Sequence, residues 1–233
     1  MIVRPLTENN FNLLRLQKGG MITETAFPIE YFSREDESND GLFYSQPRFV
    51  VHIDDFAIAA VGRVFREQIP DGSLILDLMS SWRSHWPQDR GKDRMVGLGM
   101  NAAEMADNPD LDEYVVHDLN VNLELPFADN IFDAVVVTVS VQYMTHPIET
   151  FKEVNRILKM GGVFIVTFSN RMFPTKAVRI WRGLSDQGHL DLVGSYLDYA
   201  GGFEDIRSGL VNPADQPQGN PLFAVIARKE IEG

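Results

Sequence analysis

Cysteine is absent from this sequence of 233 residues. Disulfide bonds, thiolate metal sites and cysteine nucleophiles are therefore all excluded. The absence also fits a reducing compartment, in which disulfides are rare. The five histidines do not suggest a metal site either, since none are paired at the spacing of metal ligands. We expect no bound metal.

Long apolar runs are also missing. No run approaches the roughly 20 residues that a helix needs to span a bilayer. Residues 1–20 lack the apolar core and the small-residue cleavage site of a signal peptide. We therefore expect a cytoplasmic protein with no membrane span.

Positive charge is scarce. The 21 Lys and Arg residues are outnumbered by 33 Asp and Glu residues, which gives a net charge of −12. Phosphate backbones are bound through Lys and Arg, so this balance argues against a nucleic-acid partner. Asn101–Asp133 contains neither, which indicates a solvated acidic face. One basic island, Arg171, Lys176, Arg179 and Arg182, indicates a solvated helix face or, alternatively, a site for an anionic substrate.

Apolar runs alternate with helical patterns after residue 70. Strands are predicted at Ser73–Met79, Arg94–Gly99, Tyr114–His117, Ile131–Val139, Gly162–Phe168, Phe203–Leu210 and Leu222–Arg228. Helices fit at Ala102–Asp107, Pro147–Leu158, Pro174–Leu184 and Asp191–Ala200. This alternation predicts an α/β fold with a mostly parallel sheet and helices on both faces. The last strand should be antiparallel, because Val211–Pro221 is too short for a parallel crossover.

Residues 1–69 are predicted to form a helical extension that packs on an α/β domain of residues 70–233. A lid is one interpretation of this extension. Ser45-Gln46-Pro47 has the composition of a helix start, and Ile69-Pro70-Asp71-Gly72 that of a turn. Aromatic residues surround an irregular segment before this helix: Phe27, Tyr31, Phe32, Phe43 and Tyr44. They indicate either a lid over a pocket or anchors that pin the extension to the domain.

Five motifs occur in an order typical of one family. Asp77 ends the first strand, and Asp118 follows the third strand ahead of Leu125-Pro126-Phe127 and Phe132-Asp133. Glycine turns at Lys159–Gly162 and Tyr199–Phe203 precede later strands. Over about residues 70–229 the chain resembles class I S-adenosylmethionine-dependent methyltransferases of type 11. The resemblance implies a Rossmann-like sheet of seven strands, S-adenosyl-L-methionine as cofactor, and methyl transfer to a small-molecule acceptor.

The resemblance also implies a set of cofactor-binding residues after the first four strands. They are Asp77, Met79, Ser80, Ser81, Gly99, Met100, Asn101, Asp118, Leu119, Asn120, Ser140 and Val141. Asp118 would accept a hydrogen bond from the adenine amine, with capping of its own loop as the equal alternative. No obligatory catalytic side chain is expected, because positioning supplies much of the catalysis. His52 and His85 are candidate general bases, although a lone histidine is more often a hydrogen-bonded or surface residue.

The sequence departs from the family at its ligand-binding positions. Met79, Ser81 and Arg83 replace three glycines that let the backbone approach the cofactor. Gly99 replaces the acid that usually binds ribose, and a little-characterised branch of the family carries a similar Ser-Ser-Trp loop. The alternative function is therefore a methyltransferase-like binding or scaffold module with weakened or lost cofactor binding. A nicotinamide-dependent oxidoreductase is disfavoured, since no Gly-x-Gly-x-x-Gly follows the first strand.

Overall fold

A computed structural model describes residues 27–90, 94–212 and 219–231. The first 26 residues of the predicted extension and part of the link Val211–Pro221 lie outside the described residues. The division of the chain at residues 69 and 70 stays a prediction.

A seven-stranded sheet occupies the centre of the described fold, in the order β3-β2-β1-β4-β5-β7-β6. Strands β1 to β5 pair in parallel, whereas β7 lies between β5 and β6 and is antiparallel to both. The predicted fold class, with its antiparallel last strand, is confirmed. The strands are β1 (Leu74–Leu78), β2 (Arg94–Gly99), β3 (Glu113–Val116), β4 (Phe132–Thr138), β5 (Leu158–Ser169), β6 (Phe203–Leu210) and β7 (Leu222–Lys229).

Alternate residues of the central strands pack on opposite faces of the sheet. On β4, Val135 and Val137 belong to one hydrophobic cluster, while Ala134 and Val136 belong to the other. The same alternation occurs along β5 and β7. Because both faces are covered, these strands have near-continuous apolar sequences rather than an apolar–polar alternation.

Helices cover the two faces and leave the strand ends open. Helix α2 (Asp55–Gln68) packs on one face, and α4 (Pro147–Ile157) and α6 (Asp186–Ala200) pack on the other. The short helices are α1 (Asp40–Phe43), α3 (Ala102–Ala106) and α5 (Arg179–Arg182). In the described ranges, no helix is long and apolar enough to cross a bilayer.

Three predicted helices are wrong in extent. Helix α6 begins at Asp186, five residues before the predicted start at Asp191. Pro47 does not start a helix; α2 begins eight residues later, where the Asp54 side chain accepts a hydrogen bond from Ala57 N at 3.0 Å. That N-cap interaction satisfies one of the backbone N–H groups that have no partner within the helix at its N-terminus. The predicted helix Pro174–Leu184 is helical only at α5. Its supposed basic face is also wrong, because Lys176 is 0% exposed.

Lys176 joins the N-terminal segment to the sheet through a largely buried charge network that we call the lysine latch: Lys176, Arg34, Asp40 and the partly exposed Asp36. Its ammonium lies 3.0 Å from Asp40 and 3.2 Å from Asp36, and it donates to the Ser38 carbonyl at 2.8 Å. Arg34 pairs with the other side of Asp40 at 2.7 Å. Each buried charge thus has a partner, as burial requires. The latch fixes residues 34–40 beside the loop that follows β5.

Removing the latch lysine should destabilise the fold. Lys176→Met keeps an apolar stem but leaves Asp36, Asp40 and the Ser38 carbonyl without their shared donor. We expect a loss of about 3 kcal/mol in the free energy of unfolding, measured by urea denaturation, as for other broken buried pairs. Lys159→Met is the matched control, because Lys159 pairs with Asp133 at an exposed position. Equal stability losses in the two variants would contradict a special role for the latch.

Candidate functional site

A cavity of about 560 Å³ opens at the carboxyl ends of the parallel strands. The loops after β1, β2, β3, β4 and β5 form its floor and sides, and residues 48–53 of the N-terminal segment form one wall. Ligands of open α/β sheets bind at this edge. The volume lies within the range of about 300–1,000 Å³ that is usual for small-molecule sites. The cavity is therefore the candidate functional site.

The structure brings eleven of the twelve predicted cofactor residues around this cavity. The exception is Val141, whose side chain is 2% exposed and packs in the hydrophobic cluster beside α4. Its neighbour Ser140 borders the cavity in its place. The shared location is a structural finding, while the binding of cofactor by these residues stays a prediction.

The loop after β1 is organised by side chains. Ser80 Oγ and Ser84 Oγ each donate to Asp77 Oδ2 at 2.6 Å. Met79 and His85 adopt positive φ angles of 63° and 60°, which side-chain-bearing residues rarely do. Across residues 79–90 this connection contains no helix. A helix N-terminus, which elsewhere offers free N–H groups to an anion, is therefore missing from this described stretch.

The Ser80 backbone occupies the space beside Gly99. Ser80 N donates to Leu98 O at 2.8 Å, so the loop continues the pairing of β1 with β2. A Cβ placed on Gly99 would lie 2.1 Å from the Ser80 carbonyl oxygen. No side chain fits there, the expected ribose-binding acid included. The glycine-poor loop after β1 and the absence of an acid at position 99 thus have one structural basis, the position of the Ser80 carbonyl.

Replacing Gly99 tests this arrangement. Gly99→Ala should push the Ser80 carbonyl away from β2 and lower the free energy of unfolding by about 1–3 kcal/mol, the usual cost of overpacking. Gly194→Ala is the control, because nothing lies within 4 Å of its new Cβ. Alanine in the interior of α6 should raise stability by about 0.5–1 kcal/mol. Urea denaturation measures both, and a stable Gly99→Ala variant would contradict the close contact.

Asp77 is fully enclosed and carries a pKa raised to about 6, because desolvation by burial outweighs the hydrogen bonds from Ser80 and Ser84. The pKa of an exposed Asp is near 3.9. An ionised Asp77 therefore costs stability, and the full cost is present above pH 6. A bound cation or ammonium group would offset that cost.

Asp77→Asn should consequently stabilise the protein at high pH. Asparagine keeps the oxygen that accepts from Ser80 and Ser84 but carries no charge. We expect the free energy of unfolding at pH 8 to rise by about 1–3 kcal/mol, from a pKa difference of roughly two units. The gain should shrink as the pH falls through 6 toward 4, where Asp77 itself becomes protonated. Urea denaturation at several pH values checks this; a variant less stable than the parent at pH 8 would contradict it.

In the loop after β3, Asp118 keeps one carboxylate oxygen without a hydrogen bond in the described ranges, whereas the Asn120 side chain is fully hydrogen-bonded. Asp118 Oδ1 accepts from Asn120 N at 2.9 Å, which is the loop-capping interaction. Its second oxygen has no hydrogen bond within the described ranges. Asn120 is fully engaged: its amide donates to Asp40 and to Tyr143 O, and its oxygen accepts from Thr145. Asn120 thus joins the cavity floor to the lysine latch rather than facing a ligand.

The residues after β2 are also committed to internal contacts. Asn101 Oδ1 caps α3 by accepting from Ala103 N and Glu104 N, and its amide donates to Tyr44 O at 2.8 Å. Glu104 accepts from Arg48 N and from Ser81 Oγ, each at 2.6 Å. Asn101 is thus the N-cap of α3, and its side chain offers little to a ribose.

Two hydroxyls at the end of β4 lack partners. Thr138 Oγ1 and Ser140 Oγ are buried, and neither forms a hydrogen bond within the part of the chain described. Both residues border the cavity. A buried polar group without a partner is costly, so a ligand bound here would supply what these hydroxyls lack. Thr138 was not singled out from the sequence, because a threonine ending an apolar strand carries no distinguishing signal.

Both candidate histidines also border the cavity. Burial first, and then the nearby His52 and Arg83, lower the pKa of His85 to about 4. The pKa of His52 is lowered as well, first by desolvation. His85 is therefore neutral at pH 7 and able to accept a proton.

Anchoring and enclosing roles both occur in the N-terminal segment. Phe27 contacts the rings of Tyr196 and Tyr199 on α6, and Phe32 contacts Tyr196. Further along, Tyr44 and Arg48 border the cavity. The sequence pattern did not single out Arg48 as a site residue, since it lies in a segment that was predicted to be a helix.

Comparison with known proteins agrees with this fold. Residues 92–166 match the family described as "Methyltransferase domain". The chain is 37% identical over 108 residues to the ubiquinone/menaquinone biosynthesis C-methyltransferase UbiE of Chromobacterium violaceum, covering 43% of this chain. It spans only 40% of the length of that relative.

Solved structures share the fold at low sequence identity. The (4+2)-cyclase SpnF matches with a TM-score of 0.55 and 17% identity, over 75% of this chain and 82% of that one. A SAM-dependent methyltransferase from Aquifex aeolicus matches with a TM-score of 0.51 and 16% identity, over 76% and 94% of the two chains. Residues 92–166 thus match a methyltransferase family, and the described fold is shared with a SAM-dependent methyltransferase. This similarity implies S-adenosylmethionine as the cofactor.

Proposed function

We propose that this methyltransferase-fold protein transfers a methyl group from S-adenosylmethionine to a small-molecule acceptor. The observation that carries the proposal is the cavity at the strand ends, which combines a buried carboxylate with unpartnered hydroxyls inside a chain that matches a methyltransferase family. Size and position also suit a nucleoside-sized ligand.

The residues present fit the cofactor in most of its parts. Asp77, whose ionised form is disfavoured by burial, suits the ammonium group. The second oxygen of Asp118 suits the adenine amine, and the buried Leu119 supplies apolar contact. Thr138 and Ser140 can hydrogen-bond the amino-acid part or the acceptor. The ribose has no acid after β2, and we expect weaker affinity than is usual for the fold.

The chain's own contribution to catalysis is positioning and proton transfer. When bound, the cofactor supplies an electrophilic methyl group. The N-terminal segment, held by the lysine latch, helps to exclude water from the cavity. His52 and His85 border the same cavity, and either can receive the proton that an acceptor's hydroxyl or amine loses. Alignment of acceptor and methyl group then accounts for much of the rate.

A binding module without methyl transfer is the second candidate. The Ser80 carbonyl beside Gly99 and the missing helix after β1 favour it, because both remove usual contacts to the cofactor. A solved structure with this fold is named as a (4+2)-cyclase, which shows that the fold alone does not imply methyl transfer. Binding of S-adenosylhomocysteine without any methyl transfer would favour this candidate.

Calorimetric titration with S-adenosylhomocysteine tests the proposal. We expect measurable heat and a rise in melting temperature at saturating ligand, since a ligand that binds only the folded state stabilises it. Asp77→Asn should weaken binding by about tenfold, as for the loss of a charged hydrogen bond. Glu149→Gln, on the exposed side of α4, is the control and should bind like the parent. No heat and no thermal shift at millimolar ligand would refute the proposed function.

A further inference from the structure

Nearly every arginine in the described ranges forms an ion pair. Ten of the described positions have a carboxylate within 4.0 Å: Arg34, Arg63, Arg66, Arg83, Arg90, Arg94, Arg156, Arg182, Arg207 and Arg228. The exceptions are Arg48, Arg171 and Arg179. In a chain with a large excess of acids, an unpaired arginine is a notable departure. Two of these exceptions, Arg48 and Arg171, border the cavity.

The two cavity arginines lie on the same side of the site. The Arg48 guanidinium lies 5.5 Å from the centre of the Phe173 ring, which His52 also contacts, and Arg171 precedes Phe173 by two residues. Arg48 is held in place: its guanidinium stacks on Phe43 at 4.5 Å and donates to the Phe43 carbonyl at 2.8 Å. The Arg171 side chain is exposed and makes no hydrogen bond within the described residues.

The acids that border the cavity do not neutralise this pair. Asp40 is bound by Arg34, Lys176 and Asn120. Glu104 accepts from Arg48 N and Ser81, and Asp77 accepts from two serines. Asp118, the fourth acid at the cavity, has one oxygen without a hydrogen bond in the described ranges, yet none of the four acids lies within 4.0 Å of the Arg48 or Arg171 guanidinium there. An incoming anion is therefore the natural partner for the two arginines.

Sheet order separates Arg171 from most of the predicted cofactor residues, whereas Arg48 contacts both sides, Glu104 after β2 and Phe173 after β5. The predicted cofactor residues follow β1, β2 and β3 for the most part, on one side of the sheet order β3-β2-β1-β4-β5. Arg171 follows β5, at the opposite end of this row. Apolar side chains accompany it, with Phe173 stacked on Tyr143 and Val50, Val51 and Met172 bordering the opening.

We propose that the acceptor is an apolar carboxylic acid and that Arg48 and Arg171 bind its carboxylate, an inference that rests on the proposed methyl transfer. Guanidinium groups match a carboxylate with paired hydrogen bonds. The apolar body of the acceptor lies against Phe173 and Val51. This orientation places the rest of the acceptor toward His52 and the strand ends, where the methyl donor is expected.

Matched acids and amides test the carboxylate requirement. Ligand-observed NMR would compare benzoate and cinnamate with benzamide and cinnamamide, with and without S-adenosylhomocysteine. We expect the acids to bind the parent about tenfold more tightly, the equivalent of one charged hydrogen bond. Arg171→Gln should abolish that preference and Arg171→Lys should restore part of it. Arg179→Gln, which removes an unpaired arginine outside the cavity, should leave the preference unchanged.

A second comparison separates the acceptor's carboxylate from that of the cofactor. Calorimetry would compare S-adenosylhomocysteine with 5′-methylthioadenosine, which lacks the amino-acid part. We expect Arg171→Gln to leave both affinities unchanged. If it weakens S-adenosylhomocysteine alone, the arginines bind the cofactor and the inference is overturned. Equal binding of acids and amides by the parent also overturns it. Failure of the parent to bind S-adenosylhomocysteine would instead refute the proposed function.

Discussion

The two hydrogen bonds that Ser80 and Ser84 donate to Asp77 set the path of the loop after β1. That path carries the Ser80 carbonyl over Gly99 and joins the loop to β2. It also leads the chain through residues 79–90 without a helix. The shape of the cavity beneath the loop follows from these bonds, because they decide which backbone atoms approach a ligand and which positions can carry a side chain.

The N-terminal segment forms the side of the cavity that the loops after the strands do not enclose. The lysine latch fixes residues 34–40, and Asn120 links the latch to the loop after β3. Glu104 then holds the backbone at Arg48, further along the same segment. One face of the cavity is therefore built by residues distant in sequence from the strands that form its floor.

The parts of the fold that depend on local pattern could be predicted from the sequence. Ala134 to Val137 form a continuous apolar run because both sides of β4 are buried. The glycine turn at Tyr199–Phe203 and the short last connection likewise identified the later strands, whereas Lys159–Gly162, predicted as a turn, lies within β5. Most of the predicted site residues border the cavity, because the carboxyl ends of parallel strands meet at one edge.

Other features depend on contacts between distant residues, and local pattern misled there. Pro47 has the composition of a helix start, yet Asp54 caps the helix instead. Lys176 was assigned to a solvated face because no periodicity reveals that Asp36 and Asp40 lie beside it. The same limitation applies to Arg48, whose neighbour Phe173 lies far along the chain.

The latch has a consequence for the order in which the protein assembles. Lys176 and Asp36 are separated by 140 residues, so the N-terminal segment leaves the ribosome long before its partner exists. At ordinary synthesis rates that interval is roughly 10 to 30 s. Until then Asp36, Asp40 and Arg34 remain in water, and the cavity lacks a wall. The enclosed site is therefore completed late in synthesis, after the strands that form its floor.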